Sequence, residues 1–218
     1  MTTKLHERYS REGSEFDRAI AFIDATFALA LTLLVTTLDL SAEPADWRSL
    51  GDFYDTMGSQ LLAFAIAFIV ISGYWLSHYR IVAACDSIDL GLIIANLVLI
   101  ATVVIVPFTT ESVGNPDINQ LPLPTALLAV NAAAVCLAFT LVYVMARREG
   151  ALKEVPSPRE FRWNLVAFTG PTLVFLASVP IAYLVSPEAA QLSWLALLVV
   201  NPVLGHASVK ARTGDAAA

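Results

Sequence analysis

The sequence predicts an all-α, polytopic integral membrane protein with six transmembrane helices. Three observations carry that reading. Of 218 residues, 57 % are hydrophobic and 15 % charged, with a mean hydropathy of +0.67, outside the range of an ordinary soluble domain. The apolar residues are gathered into runs: residues 57–77, 90–110, 121–146, 163–187 and 189–209 contain no Asp, Glu, Lys or Arg, and residues 19–38 contain only Asp24. Each run reaches the roughly 20 residues that a helix needs to cross a bilayer.

The elements follow in order. The first 17 residues are polar and charged, and the apolar stretch behind them has no clean small-residue cleavage site. This predicts an uncleaved first span over 17–40 rather than a signal peptide. The remaining spans are expected at 57–79, 89–110, 122–146, 162–185 and 189–208, with short polar connections. Residues 1–218 thus read as a single six-helix domain, with no internal repeat, no low-complexity segment and no room for a separate soluble domain.

The basic residues orient it. Six spans put both termini on one side, together with the connections after spans two and four. That side holds twelve of the thirteen Lys and Arg, and only Arg48 lies opposite. The positive-inside rule makes it the cytoplasm, so the expectation is a multi-pass protein of the cell membrane with cytoplasmic N- and C-termini. The opposite loops are acidic, through Asp39, Glu43, Asp46, Asp52, Asp55, Glu111, Asp117 and Glu188, which raises the local cation concentration there.

Catalytic chemistry has no visible carrier. His6, His78 and His206 fall in three separate segments without ligand spacing. There is no Cys-x-x-Cys, no Gly-rich phosphate loop and no G-x-S-x-G elbow. The expectations are no enzyme activity, no metal site and no cofactor. Cys85 and Cys136 sit at different depths, which argues against a disulfide. The basic "ARREG" at 146–150 fits an anionic leaflet better than nucleic acid.

The first span poses a specific question. Asp24 lies inside it, and a carboxylate in hydrocarbon costs roughly 2.5–3.5 kcal/mol on insertion scales. At 100° per residue, Phe22, Ala25, Leu29, Thr32, Leu33, Thr36 and Leu40 share one narrow face. Asp24 is about 140° from Leu29 by the same periodicity, so it is expected to point toward neighbouring helices of its own subunit. "YWLSHYR", 74–80, offers Trp75, His78 and Tyr79 at the same membrane depth, and the third span adds Asn96. On periodicity alone, the Leu/Thr stripe reads as an ordinary packing face, the commoner use of such a face, and Asp24 as a structural charge tied to a neighbour.

A family resemblance changes the first of those readings. "RAIAFID", Arg18 to Asp24, resembles the R-x-x-x-F-S-D signature of the endosomal and lysosomal potassium channel family, also called the transmembrane protein 175 family. "ATFALALTLLV" behind it looks like that family's first helix, "YWLSHYR" is similar to its W-x-x-H-H-R stretch, and "ANLVLIATVVIVPFTT", 95–110, to its third helix. Spans four to six match only in length and polarity. The resemblance implies a bacterial single-repeat member that assembles as a homotetramer, with helix one lining a central pore. It implies rings of bulky apolar side chains in place of a carbonyl filter, at Leu29, Leu33 and Thr36, with a hydroxyl layer at Thr32. It also implies a supporting network of Arg18, Phe22, Asp24, Trp75, His78, Arg80 and Asn96, in which Asp24, together with Arg18 and partners on helix two, is expected to fix the rotation of helix one.

Three residues depart from the pattern. Ile23 replaces the signature serine, Tyr79 replaces one histidine of the pair, and Thr36 stands where a third apolar layer is usual. The expected consequences are a differently wired network and a wetter outer constriction. The function implied is a modestly potassium-selective channel, its partners being K⁺, the lipid bilayer and further copies of the chain. The alternative is a proton-conducting or proton-coupled transporter using Asp24 and His78.

Overall fold

The computed structural model describes residues 8–38 and 47–215, with side chains as far as Arg212. Leu40 of the apolar stripe, the acidic Asp39, Glu43 and Asp46, and Lys4 and His6 lie outside the described residues. The chain is helical almost throughout. In order come a strand β1 (Tyr9–Ser10), helix α1 (Ser14–Leu33) ending in a 3₁₀ turn (Leu34–Thr37), α2 (Leu50–Ala83), a strand β2 (Ser87–Ile88), α3 (Leu90–Val104) and α4 (Val106–Gly114). Then follow α5 (Pro122–Arg148), α6 (Pro158–Leu184), α7 (Pro187–Ser193), a 3₁₀ turn (Trp194–Ala196) and α8 (Leu197–Asp215). They form six spans long and apolar enough to cross a membrane: Ser14–Thr37, Leu50–Ala83, Leu90–Gly114, Pro122–Arg148, Pro158–Leu184 and Pro187–Arg212.

The helices run past the apolar runs at several ends, most of all in α2, which has 34 residues. Asp52 and Asp55 lie in its first turns, and Glu111 lies in α4. Counting uncharged residues finds the part of a helix that sits in hydrocarbon, whereas the helix stops where its end groups are capped. Ser49, Asp89, Ser157 and Ser186 each accept from the backbone N–H three residues on, at 3.1, 2.8, 3.1 and 3.1 Å. Pro122, Pro158 and Pro187 open their helices at the position where a missing N–H costs nothing.

α5 is the centre of the bundle. Ala126, Ala129, Ala132, Ala133, Ala138 and Ala146 are buried along it, and small residues let α3, α4 and α6 approach closely. α1 packs mainly on α3, α2 leans on α4 and α1, and α8 on α6. Large apolar side chains point outward along every span, among them Leu173, Leu184 and Leu198, as lipid requires.

The third span breaks at Ile105, between α3 and α4. Pro107 has no N–H to give Val103 and its ring crowds that carbonyl. The Asn131 side chain of α5 enters the gap. With its amide turned so that nitrogen meets an acceptor and oxygen a donor, it donates to the Thr102 carbonyl at 3.0 Å and accepts from the Val106 N–H at 3.2 Å. Those are the two ends of one lost α-helical bond, so a single amide satisfies both groups.

At the basic end, β1 pairs antiparallel with β2, Tyr9 opposite Ile88 and Ser10 opposite Ser87. The Arg11 guanidinium donates to the carbonyls of Val82 at 3.0 Å and Cys85 at 2.8 Å, where α2 ends. Arg8 donates to the Glu149 carbonyl, and Lys153 Nζ donates to the Ala83 carbonyl at 2.8 Å. These cations cover helix C-termini, where orphan carbonyls and the helix dipole favour positive charge.

Candidate functional site

α1 has two unlike faces. Phe16, Ile23, Phe27, Ala30 and, in the 3₁₀ turn, Leu34 are buried. Their spacing of seven, four, three and four keeps them on one side. The opposite side is bare: Phe22 is 58 % and Leu29 53 % exposed, and Ala25, Thr32 and Thr36 are exposed with them, while Leu33 is half-buried at the flank. Within the 3₁₀ turn each residue advances 120°, which stacks Thr36 over Leu33 rather than offsetting them.

The hydroxyls on this face have a defined polarity. Thr32 Oγ1 donates to the carbonyls of Ala28 at 3.1 Å and Leu29 at 2.8 Å, and Thr36 Oγ1 donates to Leu33 at 2.7 Å. A hydroxyl has one hydrogen. Once it is turned back onto the helix, only oxygen lone pairs remain for anything on the bare side. These two hydroxyls therefore offer ligands to a cation and none to an anion.

Asp24 sits half-buried at the seam between α1 and α2. The Trp75 indole N–H donates to its Oδ1 at 3.0 Å, and Trp75 packs on Tyr79 with ring centroids 6.0 Å apart. Asp24 and Arg18 make no bond to each other among the described residues. Six residues on a helix turn about 120° net, so Arg18 projects from the bare face with Leu29. It is exposed and makes no hydrogen bond or ion pair among the described residues.

His78 and Asn96 form a second, separate pair. His78 is fully buried, with Nε2 2.9 Å from Asn96 Oδ1. Asn96 Nδ2 donates to the Leu92 carbonyl at 2.8 Å, so Oδ1 is the acceptor and His78 carries its proton on Nε2. Nδ1 has no partner among the described residues. Phe27 of α1 lies against the imidazole, centroids 5.6 Å apart. α1 is thus held at two points, through Asp24 to Trp75 and through Phe27 to His78. Of the departures in the sequence, Ile23 enters the apolar core, and Tyr79 is 59 % exposed and packs on Trp75. Arg80 faces away from both pairs, into a crevice beside α6 and α8.

Among the described residues, no three His, Cys, Asp or Glu side chains converge as metal ligands. Cys85 and Cys136 are buried free thiols, and His206 bonds the Pro202 carbonyl through Nδ1 at 2.7 Å. Sequence reasoning missed two polar devices, Asn131 in the helix break and Arg11 at the end of α2. A lone asparagine in an uncharged run, facing a run that contains a proline, was the available signal for the first.

Residues 18–107 match the family described as "Endosomal/lysosomal potassium channel TMEM175". Over this segment the chain is similar to the TMEM175 family. The matched stretch runs from Arg18, through Asp24, Trp75, His78 and Asn96, to Pro107, and so contains both attachments of α1. The chain is 26 % identical over 183 residues to a potassium channel of Streptomyces collinus, covering 80 % of this chain and 85 % of that one. It is 30 % identical over 134 residues to a potassium channel of Chamaesiphon minutus, covering 61 % and 64 %. The fold matches the crystal structure of a lysosomal potassium-selective channel TMEM175 homolog from Chamaesiphon minutus, with a TM-score of 0.60 at 21 % identity, over 91 % of this chain and 98 % of that one. TMEM175 is an ion-channel family, which is not an enzyme class.

Proposed function

We propose that this chain is a TMEM175 member and a potassium channel in which four copies surround an axis lined by the bare face of α1. The observation that carries the proposal is that face: Leu29 and Phe22 uncovered, Thr32 and Thr36 presenting lone pairs, and the opposite side fastened to α2 and α3. One helix cannot enclose a path, so rotational symmetry supplies the other walls. A ring of Leu29 makes an apolar neck that closes by dewetting and, when open, removes part of an ion's water. K⁺ gives up water more readily than Na⁺, so preference for K⁺ is present and modest. Leu33 narrows the path again, and the hydroxyls of Thr32 and Thr36 return part of the lost coordination. The termini and the basic connections face the cytoplasm.

The test is current from reconstituted protein under bi-ionic conditions. K⁺ current exceeding Na⁺ current, from a four-fold particle, supports the reading. Equal permeability, or no flux from well-folded tetramer, refutes it. A proton pathway through Asp24 and His78 gains no support, because each is bonded to a different partner and they share no hydrogen bond. Proton flux in the absence of K⁺ would favour that reading instead.

A further inference from the structure

α2 does not close against α6 and α8, and the space between them is a crevice with α5 as its floor. Its inner part is lined by Val70, Tyr74, Phe139, Phe168 and Pro171, and it encloses about 510 Å³, a volume in the range of sites that hold small molecules. A Cβ added at Gly73 or Gly205, both on its lining, would meet nothing within 4 Å. Toward the basic end the lining turns polar, with Ser77, Arg80, Asn164 and Ser208. Asn164 and Ser208 satisfy each other, and Asn164 also donates to the Tyr143 hydroxyl at 2.7 Å.

Arg80 is different. It is exposed and makes no hydrogen bond or ion pair among the described residues. No carboxylate lines either part of the crevice that Arg80 faces. The vestibule beyond holds both signs, but its cations are engaged: Arg212 pairs with Glu154 at 3.0 Å and Lys153 bonds the Ala83 carbonyl, while Glu160 lies on the same rim. Arg80 stands three residues before the end of α2, at the membrane edge. A guanidinium there reaches the interface along its own apolar stem, and anionic headgroups are the anions it meets at that depth.

We propose that the crevice holds one anionic phospholipid from the leaflet at the basic end, its phosphate on Arg80 and an acyl chain along the α5 floor. An arginine fork matches phosphate geometry, and the change from polar mouth to apolar floor follows the profile of a single lipid. The site belongs to one subunit and stands independently of the pore reading.

The test uses the full chain, delipidated in neutral detergent and titrated with phosphatidylglycerol or phosphatidylcholine, with bound lipid counted by native mass spectrometry. One phosphatidylglycerol should be retained about tenfold more tightly than phosphatidylcholine, the scale of one charge-assisted contact. Arg80→Gln should abolish the preference. Arg159→Gln, an exposed cation at the same end of α6 outside the crevice, should keep it. Gly73→Leu, which puts a side chain into the crevice from its α2 wall, should weaken both lipids. Equal retention of the two lipids by the unaltered chain overturns the proposal, as does equal loss of preference in Arg159→Gln. Displacement of the lipid by millimolar inorganic phosphate would make it a free-anion site, and Gly73→Cys chains that cross-link to one another would make the crevice a subunit contact. Either result also overturns it.

Discussion

Trp75 on α2 donates its indole N–H to the Asp24 carboxylate on α1 across 3.0 Å, and this bond helps decide which side of α1 is left uncovered. Asp24→Ala should therefore lower stability and tetramer yield while changing ion preference little. Removing a partner from a hydrogen-bonded group costs about 1–3 kcal/mol. Trp75→Phe keeps the ring and loses only the donor, so its effect should fall below that of Asp24→Ala. Thermal melts and size-exclusion profiles read both. If Asp24→Ala assembles normally and only its selectivity changes, Asp24 lines the ion path and the assigned helical phase is wrong.

Leu29→Asn should raise conductance and reduce discrimination between K⁺ and Na⁺, because an amide lets the neck hold water at similar volume. Leu31 is the internal control: it is half-buried against the core, about 160° around the helix from Leu29. Leu31→Asn should lower stability and leave reversal potentials alone. The opposite pattern in bi-ionic reversal potentials would show that the pore face has been misassigned.

Asn131 should be needed only because Pro107 breaks the third span. Asn131→Leu leaves the Thr102 carbonyl and the Val106 N–H unpaired in an apolar surrounding, at about 1–3 kcal/mol for each group. Pro107→Ala allows the helix to continue and the two groups to bond each other. The double variant should then recover most of the stability lost by Asn131→Leu alone, a coupling that a double-mutant cycle measures directly. Additive losses would mean that the asparagine serves some other contact.

Cys85 should be inert in the folded protein. Burial pushes its thiol up to about 11, with the neighbouring Asp86 carboxylate acting in the same direction, and thiolate is the reactive form. In a Cys136→Ala background, a maleimide at pH 7.5 should label Cys85 only after unfolding. Arg11→Ala frees the Val82 and Cys85 carbonyls and should speed labelling. Rapid labelling of the native protein would show that the β1–β2 strap is open.

The spans were legible because lipid imposes one strong demand, about twenty apolar residues each. The Leu and Thr stripe of α1 was legible as a face because its spacing is periodic, but periodicity alone read it as a packing face and only the family resemblance pointed to an uncovered one; the Asp24–Trp75 and His78–Asn96 pairs draw on polar residues that stand out in apolar runs. What stayed hidden was geometry between elements. Nothing in "RAIAFID" states that Arg18 and Asp24 diverge by 120°, although helical periodicity supplies it once the helix is granted. The tightening at Leu34–Thr37, the amide bridge of Asn131 and the clamp of Arg11 depend on backbone groups, which are the same at every position and leave no trace in composition. The two-residue ladder between Tyr9–Ser10 and Ser87–Ile88 is too short for any periodicity to announce it.

The length of α2 has a mechanical corollary. Thirty-four residues at 1.5 Å each make a rod of roughly 51 Å against a hydrocarbon slab of about 30 Å. To lie wholly within the slab it would lean by more than 50°, past the roughly 0–40° that transmembrane helices adopt. Its leading turns must instead reach beyond the hydrocarbon like a mast, carrying the exposed Asp52 and Asp55 to the polar layer on the side away from the basic loops. Since the same rod holds Trp75 and His78 near its foot, a push on the mast reaches α1 through both of its fastenings.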